Sequence, residues 1–134
     1  MPKEKTVSAL TKPGVKILIV DDNPLNLKVA KRLLDVFKPT VLVATSGQGA
    51  LNCLEKHQID LILLDCLMPE MDGPQTLKAI RAINTAVPVV AFTADTAAQV
   101  KESLLAEGFD DVLLKPIEAQ KLEEILRQLK LIQE

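Results

Sequence analysis

The chain has 134 residues, the length of one ordinary domain with a single core. Hydrophobic residues make up 48% of the sequence and charged residues 25%, a balance that excludes general disorder. The formal net charge of −2 has the wrong sign for a protein that binds a phosphate backbone. We therefore expect no direct contact with nucleic acid.

No apolar run reaches the roughly 18 residues of a membrane span, and the first residues lack the apolar core of a signal peptide. This segment is therefore expected to be cytoplasmic and to make no membrane contact. Cys53, Cys66 and the single histidine, His57, have neither CxxC nor metal-ligand spacing, so zinc and disulfide sites are not supported. Both thiols are expected to be free.

Residues 1–14 are predicted to be an N-terminal linker or flexible tail, because they are largely polar and end in Pro13-Gly14. Residues 15–134 are predicted to form one folded domain. Within it, short aliphatic or β-branched runs alternate with longer segments of helical period. This alternation predicts an α/β fold.

The predicted strands and helices alternate along the chain. The strands span 16–20, 40–44, 59–64, 87–92 and 111–114, and the helices about 24–37, 47–57, 74–84, 96–107 and 118–131. Three of the strands are almost continuously apolar, as is typical of a sheet covered on both faces. We expect a doubly wound five-stranded parallel sheet with five helices.

Local signals support the predicted helix boundaries. Pro24 and Pro74 suit first helical turns, Ser46 suits a helix N-cap and Gly108 suits the residue after a helix. The apolar residues of the first and last helices each fall on one stripe, which predicts a core face: Leu27, Ala30, Leu33, Leu34 and Phe37, then Leu122, Ile125, Leu126 and Leu129.

Polar residues follow four of the five predicted strands. They are Asp21 and Asp22 after the first strand, Asp65 after the third, Thr93 after the fourth and Lys115 after the fifth. Ligands of an open parallel sheet bind outside the carboxyl ends of the strands, where the strand order reverses. These side chains are therefore predicted to form one site.

The chemistry of this set favours phosphoryl transfer. Three clustered carboxylates repel one another and are best held around a hard cation such as Mg²⁺. A carboxylate is also a competent nucleophile toward phosphorus, provided that the transferred charge is neutralised. Lys115 would supply a compact positive charge, and Thr93 a hydroxyl donor.

Each of these residues also has a purely structural explanation. Residues 21–24 could cap the first helix, Asp65 could be a turn residue before Pro69, and Thr93 could be a helix N-cap. Lys115 with the following proline could be an ordinary strand exit. Four separate strand ends that each carry a residue suited to phosphoryl transfer favour the functional explanation.

Four motifs carry a resemblance to a known family: ILIVDDN (17–23), LILLDCLMPEMDG (61–73), VVAFTA (89–94) and GFDDVLLKP (108–116). In this order and spacing, residues 15–131 resemble the receiver domains of response regulators and hybrid histidine kinases. The resemblance to these chemotaxis-regulator-like domains implies the flavodoxin-like strand order 2-1-3-4-5.

The resemblance implies a role for each site residue. Asp65 would be the phosphoacceptor, and the Mg²⁺ ligands would be Asp65, Asp22, Asp21 through water and the backbone carbonyl of Leu67. Thr93 would be the switch hydroxyl. Lys115 would contact the phosphoryl group, and the peptide bond after it would be cis.

The resemblance also implies the partners. The phosphoryl donor would be a phosphohistidine on a histidine kinase or a histidine phosphotransfer domain, and acetyl phosphate would substitute for it. Partner surfaces are expected on the first helix near Asn26 and on the face of the fourth and fifth helices. The domain would catalyse its own phosphorylation and dephosphorylation without a separate enzymatic domain, as a monomer or weak dimer.

Four positions depart from the family pattern or vary within it. Val112 stands where the family usually has Tyr or Phe, and a β-branched side chain cannot make the same ring flip; Phe109 is expected to be a core aromatic. Leu67 and Asp95 occupy the positions that tune dephosphorylation. Because an apolar Leu67 cannot orient an attacking water, we expect a long-lived phosphoryl group. Slower hydrolysis in Leu67→Asn would contradict this.

Other functions remain as alternatives. A phosphatase of the haloacid dehalogenase type would need a second aspartate where Leu67 stands. A receiver-like interaction module that works without phosphorylation is opposed by the intact acidic set. Nucleotide binding is disfavoured because no glycine-rich phosphate loop follows any strand. The chain would be either part of a hybrid histidine kinase, as its first helix suggests, or a stand-alone regulator. Cys66 is interpreted as a core residue rather than a redox sensor.

Overall fold

Five strands and five helices alternate along the chain in the computed structural model, which describes residues 10–66, 68, 72–94 and 98–133. In chain order they are β1 (Lys16–Val20), α1 (Pro24–Asp35), β2 (Thr40–Ala44), α2 (Gly47–Lys56), β3 (Leu61–Asp65), α3 (Gly73–Ile83), β4 (Val89–Thr93), α4 (Ala98–Glu107), β5 (Asp111–Leu114) and α5 (Ala119–Gln128). The predicted α/β alternation is confirmed.

The strands form one parallel sheet in the order β2-β1-β3-β4-β5, which confirms the predicted topology. The chain moves outward from β1 to β2 and then returns to the other side of β1 with β3. The strand order therefore reverses between β1 and β3. This is the point at which doubly wound sheets open a crevice at their carboxyl edge.

Two hydrophobic clusters cover the two faces of the sheet. Ile17 and Ile19 of β1 point into one cluster, with α1 and α5, while Leu18 and Val20 point into the other, with α2, α3 and α4. Because both faces are covered, β3 and β4 are buried along their whole length. The predicted core stripes of α1 and α5 lie in or against the first cluster.

Helices α1 and α2 begin where their local sequence predicts. Ser46 Oγ accepts a hydrogen bond from Gly49 N at 3.0 Å and caps α2. Asn23 Oδ1 accepts from Leu25 N at 2.9 Å, so Asn23 caps α1 and leaves the two preceding aspartates for another role. Gly108 follows α4 with a φ of 112°, a left-handed conformation that favours glycine.

Several element boundaries differ from the prediction. β3 spans Leu61–Asp65 rather than 59–64, and β4 spans Val89–Thr93 rather than 87–92, because the register pairs Ile17 with Leu61 and Asp65 with Phe92. The last helix ends at Gln128 instead of residue 131, since Lys130 turns the chain with a φ of 60°. Asp65 and Thr93 are therefore the last residues of their strands.

No described helix is long and apolar enough to cross a bilayer.

Candidate functional site

Three carboxylates meet at the crevice beside β1 and β3. Asp21 and Asp22 directly follow β1, and Asp65 ends β3. Each offers an oxygen that lies within 4.8 Å of the other two. Asp21 is 1% exposed and Asp65 4% exposed, whereas Asp22 faces solvent. The carboxylates that the sequence predicts at one edge are thus brought together.

Backbone contacts hold Asp21 in this position. Asp21 N donates to Ala44 O at 3.1 Å, which keeps the residue beside the carboxyl end of β2. Asp21 Oδ1 accepts from Asn23 N at 2.9 Å. Its other oxygen, Oδ2, is buried and receives no hydrogen bond. A buried carboxylate oxygen without a hydrogen-bond donor lowers the stability of the fold unless a nearby cation offsets its negative charge.

Lys115 brings that positive charge from the end of β5. Its Nζ lies 3.0 Å from Asp65 Oδ1 and 3.4 Å from Asp21 Oδ2. Burial by itself lowers the pKa of Lys115, but the hydrogen bond and charge of Asp65, together with Asp21, outweigh burial and raise this pKa above its ordinary value. Lys115 is therefore a permanent cation at neutral pH.

Thr93 completes the described part of the site. It ends β4, is buried, and its carbonyl oxygen accepts from Lys115 N at 2.8 Å. This backbone contact links the end of β4 to the start of the segment after β5. The Lys115–Pro116 peptide bond is cis, as the family resemblance predicted.

The start of α3 packs closely against the residue after Asp65. Gly73 N donates to Cys66 O at 3.0 Å, and a Cβ at Gly73 would lie 2.8 Å from the Cα atom of Cys66. No ordinary side chain fits there without a shift of backbone. Gly73 therefore lets α3 begin directly beside the site.

Two predicted roles fall outside the described residues. Leu67, whose carbonyl oxygen was predicted as a metal ligand, and Asp95, one of the two positions expected to tune dephosphorylation, are not described by the structure. Their predicted roles stay predictions.

The donor set suits a hard divalent cation. Carboxylate oxygens are the ligands that Mg²⁺ prefers, and Asp21 Oδ2 offers one without a hydrogen bond. The exposed carboxylate of Asp22 leaves one side of the cluster open to solvent. Water or phosphate oxygens could thus complete an octahedron around a bound ion.

Three residues flagged in the sequence belong to the core instead of the reacting centre. Val112 and Phe109 lie in the cluster beneath α4, which confirms Phe109 as a packed aromatic. Cys66 is buried and free. Burial, together with the adjacent charge of Asp65, raises the pKa of its thiol to about 12.

An apolar groove beside the carboxylates was only partly foreseen. It encloses about 110 Å³ and is lined by one side of α1 and the segment after β5: Asp21, Leu25, Asn26, Val29, Phe92, Lys115, Pro116 and Ile117. Of these residues, the expected partner surface on the first helix included Asn26 alone. Leu25 and Val29, four positions apart on one helix face beside the core stripe, are the signal that could have revealed the rest.

The response regulator receiver domain model matches residues 17–127. Sensor protein GacS of Pseudomonas syringae pv. syringae is 38% identical over 122 residues, which cover 87% of this chain and 14% of that protein. Signal transduction histidine-protein kinase BarA of Escherichia coli K12 is 37% identical over 133 residues, 96% of this chain and 14% of that protein. The chain thus spans about a seventh of the length of these relatives.

Solved receiver domains have the same fold. The receiver domain of sensor histidine kinase PA1611 from Pseudomonas aeruginosa PAO1, with a magnesium ion coordinated in its active site cleft, is 34% identical, with a TM-score of 0.78 over 87% of this chain and 97% of that one. The Francisella response regulator 1452 receiver domain is 29% identical, with a TM-score of 0.79 over 87% and 96%. With the matching motifs, topology and acidic crevice, these findings establish that the chain belongs to the response regulator receiver domain family.

Proposed function

We propose that Asp65 accepts a phosphoryl group from a phosphohistidine in a two-component phosphorelay. The observation that carries this proposal is the placement of Asp65: it ends a buried strand, 3.0 Å from the ammonium of Lys115 and within 4.8 Å of two further carboxylates. A nucleophile in such a setting has the neutralising charges at hand before the reaction begins.

The proposed transfer is a direct displacement at phosphorus. A carboxylate oxygen of Asp65 forms the new P–O bond, the P–N bond to the donor imidazole breaks, and its electron pair stays on the imidazole nitrogen. Lys115 is already paired with Asp65. It is therefore placed to contact a phosphoryl oxygen as negative charge develops there. Thr93 is proposed to contact a second phosphoryl oxygen through its hydroxyl.

Asp21, Asp22 and Asp65 are proposed to hold Mg²⁺, with the carbonyl of Leu67 as a further ligand. When bound, Mg²⁺ supplies positive charge for the carboxylates and the phosphoryl oxygens. The chain's own contribution is to hold three carboxylates together before the ion arrives. Lys115 offsets part of their mutual repulsion in the meantime.

Intact-mass analysis after incubation with acetyl phosphate and Mg²⁺ tests the acceptor. We expect the wild-type chain to gain one phosphoryl group and Asp65→Asn to gain none. Asp35→Asn is the matched control, because Asp35 is an exposed aspartate at the far end of α1. An unmodified wild-type chain, or a modified Asp65→Asn chain, would exclude Asp65 as the acceptor.

The groove beside α1 is proposed as the docking surface for the histidine-bearing partner, a histidine kinase or a histidine phosphotransfer domain. Leu25 is 66% exposed and Val29 43% exposed, and both border the groove next to Lys115. Such a strip beside a reacting carboxylate fits the apolar face of a partner helix.

The positive charges on α1 restrict which partner helices fit the groove. The exposed basic residues beside the apolar strip are Lys28, Lys31 and Arg32, so a partner helix with acidic residues along its edges is favoured.

The relatives GacS and BarA are named as a sensor protein and a histidine-protein kinase. This supports the further proposal that the chain is the receiver segment of a hybrid histidine kinase.

A further inference from the structure

Residues 10–12, hereafter the strap, cross the amino ends of the strands, at the edge of the sheet opposite the carboxylates. Leu10 pairs with Ile132 in an antiparallel bridge. Thr11 N donates to Leu131 O at 3.0 Å, and Thr11 Oγ1 donates to Lys130 O at 2.7 Å. The strap is thus bonded along the segment that follows α5.

An ion pair ties the strap to the sheet as well. Lys12 Nζ lies 2.6 Å from Asp60 Oδ1, just before β3. Asp60 Oδ2 accepts from Lys16 N, the first residue of β1, at 2.8 Å. One carboxylate therefore connects the strap with the starts of two neighbouring strands. Asp60 is half-buried and Lys12 is exposed, so this pair adds less than the contacts beneath the strap.

The segment under the strap is part of the core. Ile132 is 1% exposed and Leu131 is also buried, both in the cluster that includes Ile17. Leu10 packs against this cluster from outside. These contacts lie beyond residues 17–127, the range matched by the family model.

We propose that the strap is a releasable lock on the carboxyl end of α5. A few hydrogen bonds, one ion pair and one leucine hold it, so it can open at a lower free energy than the whole domain. Release uncovers Leu131 and Ile132 and frees the last turn of α5. With the strap bound, a pull on the chain before residue 10 acts through it on the segment that follows α5.

Hydrogen exchange on the full chain tests the lock. The amides of Leu129, Lys130 and Leu131 donate to carbonyl oxygens of α5 and report on its last turn. In a Leu10→Asp, Thr11→Pro double variant, we expect their exchange to accelerate on the order of tenfold or more, with other core amides unchanged. Leu105→Asp, at an exposed leucine of α4, is the control and should leave these amides unchanged.

Two results would overturn the proposal. Unchanged exchange at residues 129–131 would show that the strap holds nothing, and uniformly faster exchange throughout the core would show that it opens only with global unfolding. If the double variant does not fold, Thr11→Val decides, because it removes only the Oγ1 bond. We then expect faster exchange confined to residues 129–132, and no change there counts against the lock. Phosphorylation by acetyl phosphate should stay within about twofold of wild type, since the strap is at the opposite edge from Asp65.

Discussion

At the scale of single residues, the site depends on the ammonium of Lys115, which offsets the negative charge of the buried Asp21 carboxylate. Asp21 is almost fully buried, and its Oδ2 atom has no hydrogen-bond donor. Lys115 is the described cation that approaches this oxygen, at 3.4 Å, while it bonds to Asp65. Removing one partner of such a group leaves uncompensated charge in a low-dielectric setting.

Lys115→Met is expected to slow phosphorylation by acetyl phosphate roughly 100-fold, because the growing charge on the phosphoryl group loses its fixed cation. The measurement is the initial rate at saturating Mg²⁺. Lys101→Met, on the exposed side of α4, is the matched control and should keep the wild-type rate. A Lys115→Met rate equal to wild type would remove Lys115 from the mechanism.

The raised pKa of Lys115 also sets a pH window. A folded pKa above the ordinary value means that its ion pairs stabilise the fold at neutral and mildly alkaline pH, below that ordinary value of 10.5, and that the lysine charge is lost only as the pH rises through the raised value. The rate of phosphorylation should therefore not fall across neutral and mildly alkaline pH, because Lys115 keeps its charge there. A fall in rate between pH 7 and 9 that Lys115→Arg abolishes would contradict this.

Cys66 is expected to resist alkylation. Its pKa is raised from 9.0 to about 12, so only about one thiol in ten thousand is ionised at pH 8. Cys53 is only half-buried and should react first. Differential alkylation followed by peptide mass spectrometry distinguishes the two thiols, with the denatured chain as control.

The raised pKa of Cys66 also affects the stability of the fold. Between pH 9.0 and about 12 the unfolded thiol loses its proton and the folded one keeps it, so stability should fall as pH rises.

At the scale of helices and strands, α1 and α4 differ in how firmly they are held. α1 buries Leu27, Ala30 and Leu34 and carries its N-cap bond at Asn23. Among the described side chains of α4, Leu104 alone is buried, in the same hydrophobic cluster as Val112 of β5. The well-anchored helix borders the site and the groove. The lightly packed one lies over β5, where α4 can shift at lower cost.

Leu25→Ala is expected to weaken phosphotransfer from a phosphohistidine protein by about tenfold or more and to leave phosphorylation by acetyl phosphate unchanged. The side chain is two-thirds exposed, so its loss costs the fold little while it shortens the apolar strip. Rates with both donors are compared on the same preparations. Ile83→Ala, a half-exposed apolar side chain at the far end of α3, is the control. A slower reaction with acetyl phosphate would mean that Leu25 acts on the site itself.

At the scale of the whole molecule, the sheet brings together side chains from four strand ends. The carboxylates repel one another, so the fold holds an unfavourable cluster that the proposed Mg²⁺ would relieve. The proposed ion would bind the folded chain and not the unfolded one. Binding must then raise the stability of the entire domain.

Magnesium is expected to raise the melting temperature in a concentration-dependent way. At an ion concentration about 100 times the dissociation constant, the gain is about 2.7 kcal/mol, or several degrees for a chain of this size. Differential scanning calorimetry with and without EDTA measures it. Asp22→Asn should lose most of the gain, whereas Asp110→Asn, an aspartate at the opposite edge of the sheet, should retain it. Equal gains in both variants would place the ion elsewhere.

Much of this molecule was determined locally by the sequence. The apolar runs and turn residues located all five strands, and the polar residues at the strand ends indicated the site, because the carboxyl ends of parallel strands meet at one edge. Only the tertiary structure decided which charges lose water and which distant segments touch. The ion pairs of Lys115, the groove between α1 and Ile117, and the bridge from Leu10 to Ile132 all join residues far apart in the chain. Their burial exists only once the sheet and its helices have closed, so no local pattern encodes it.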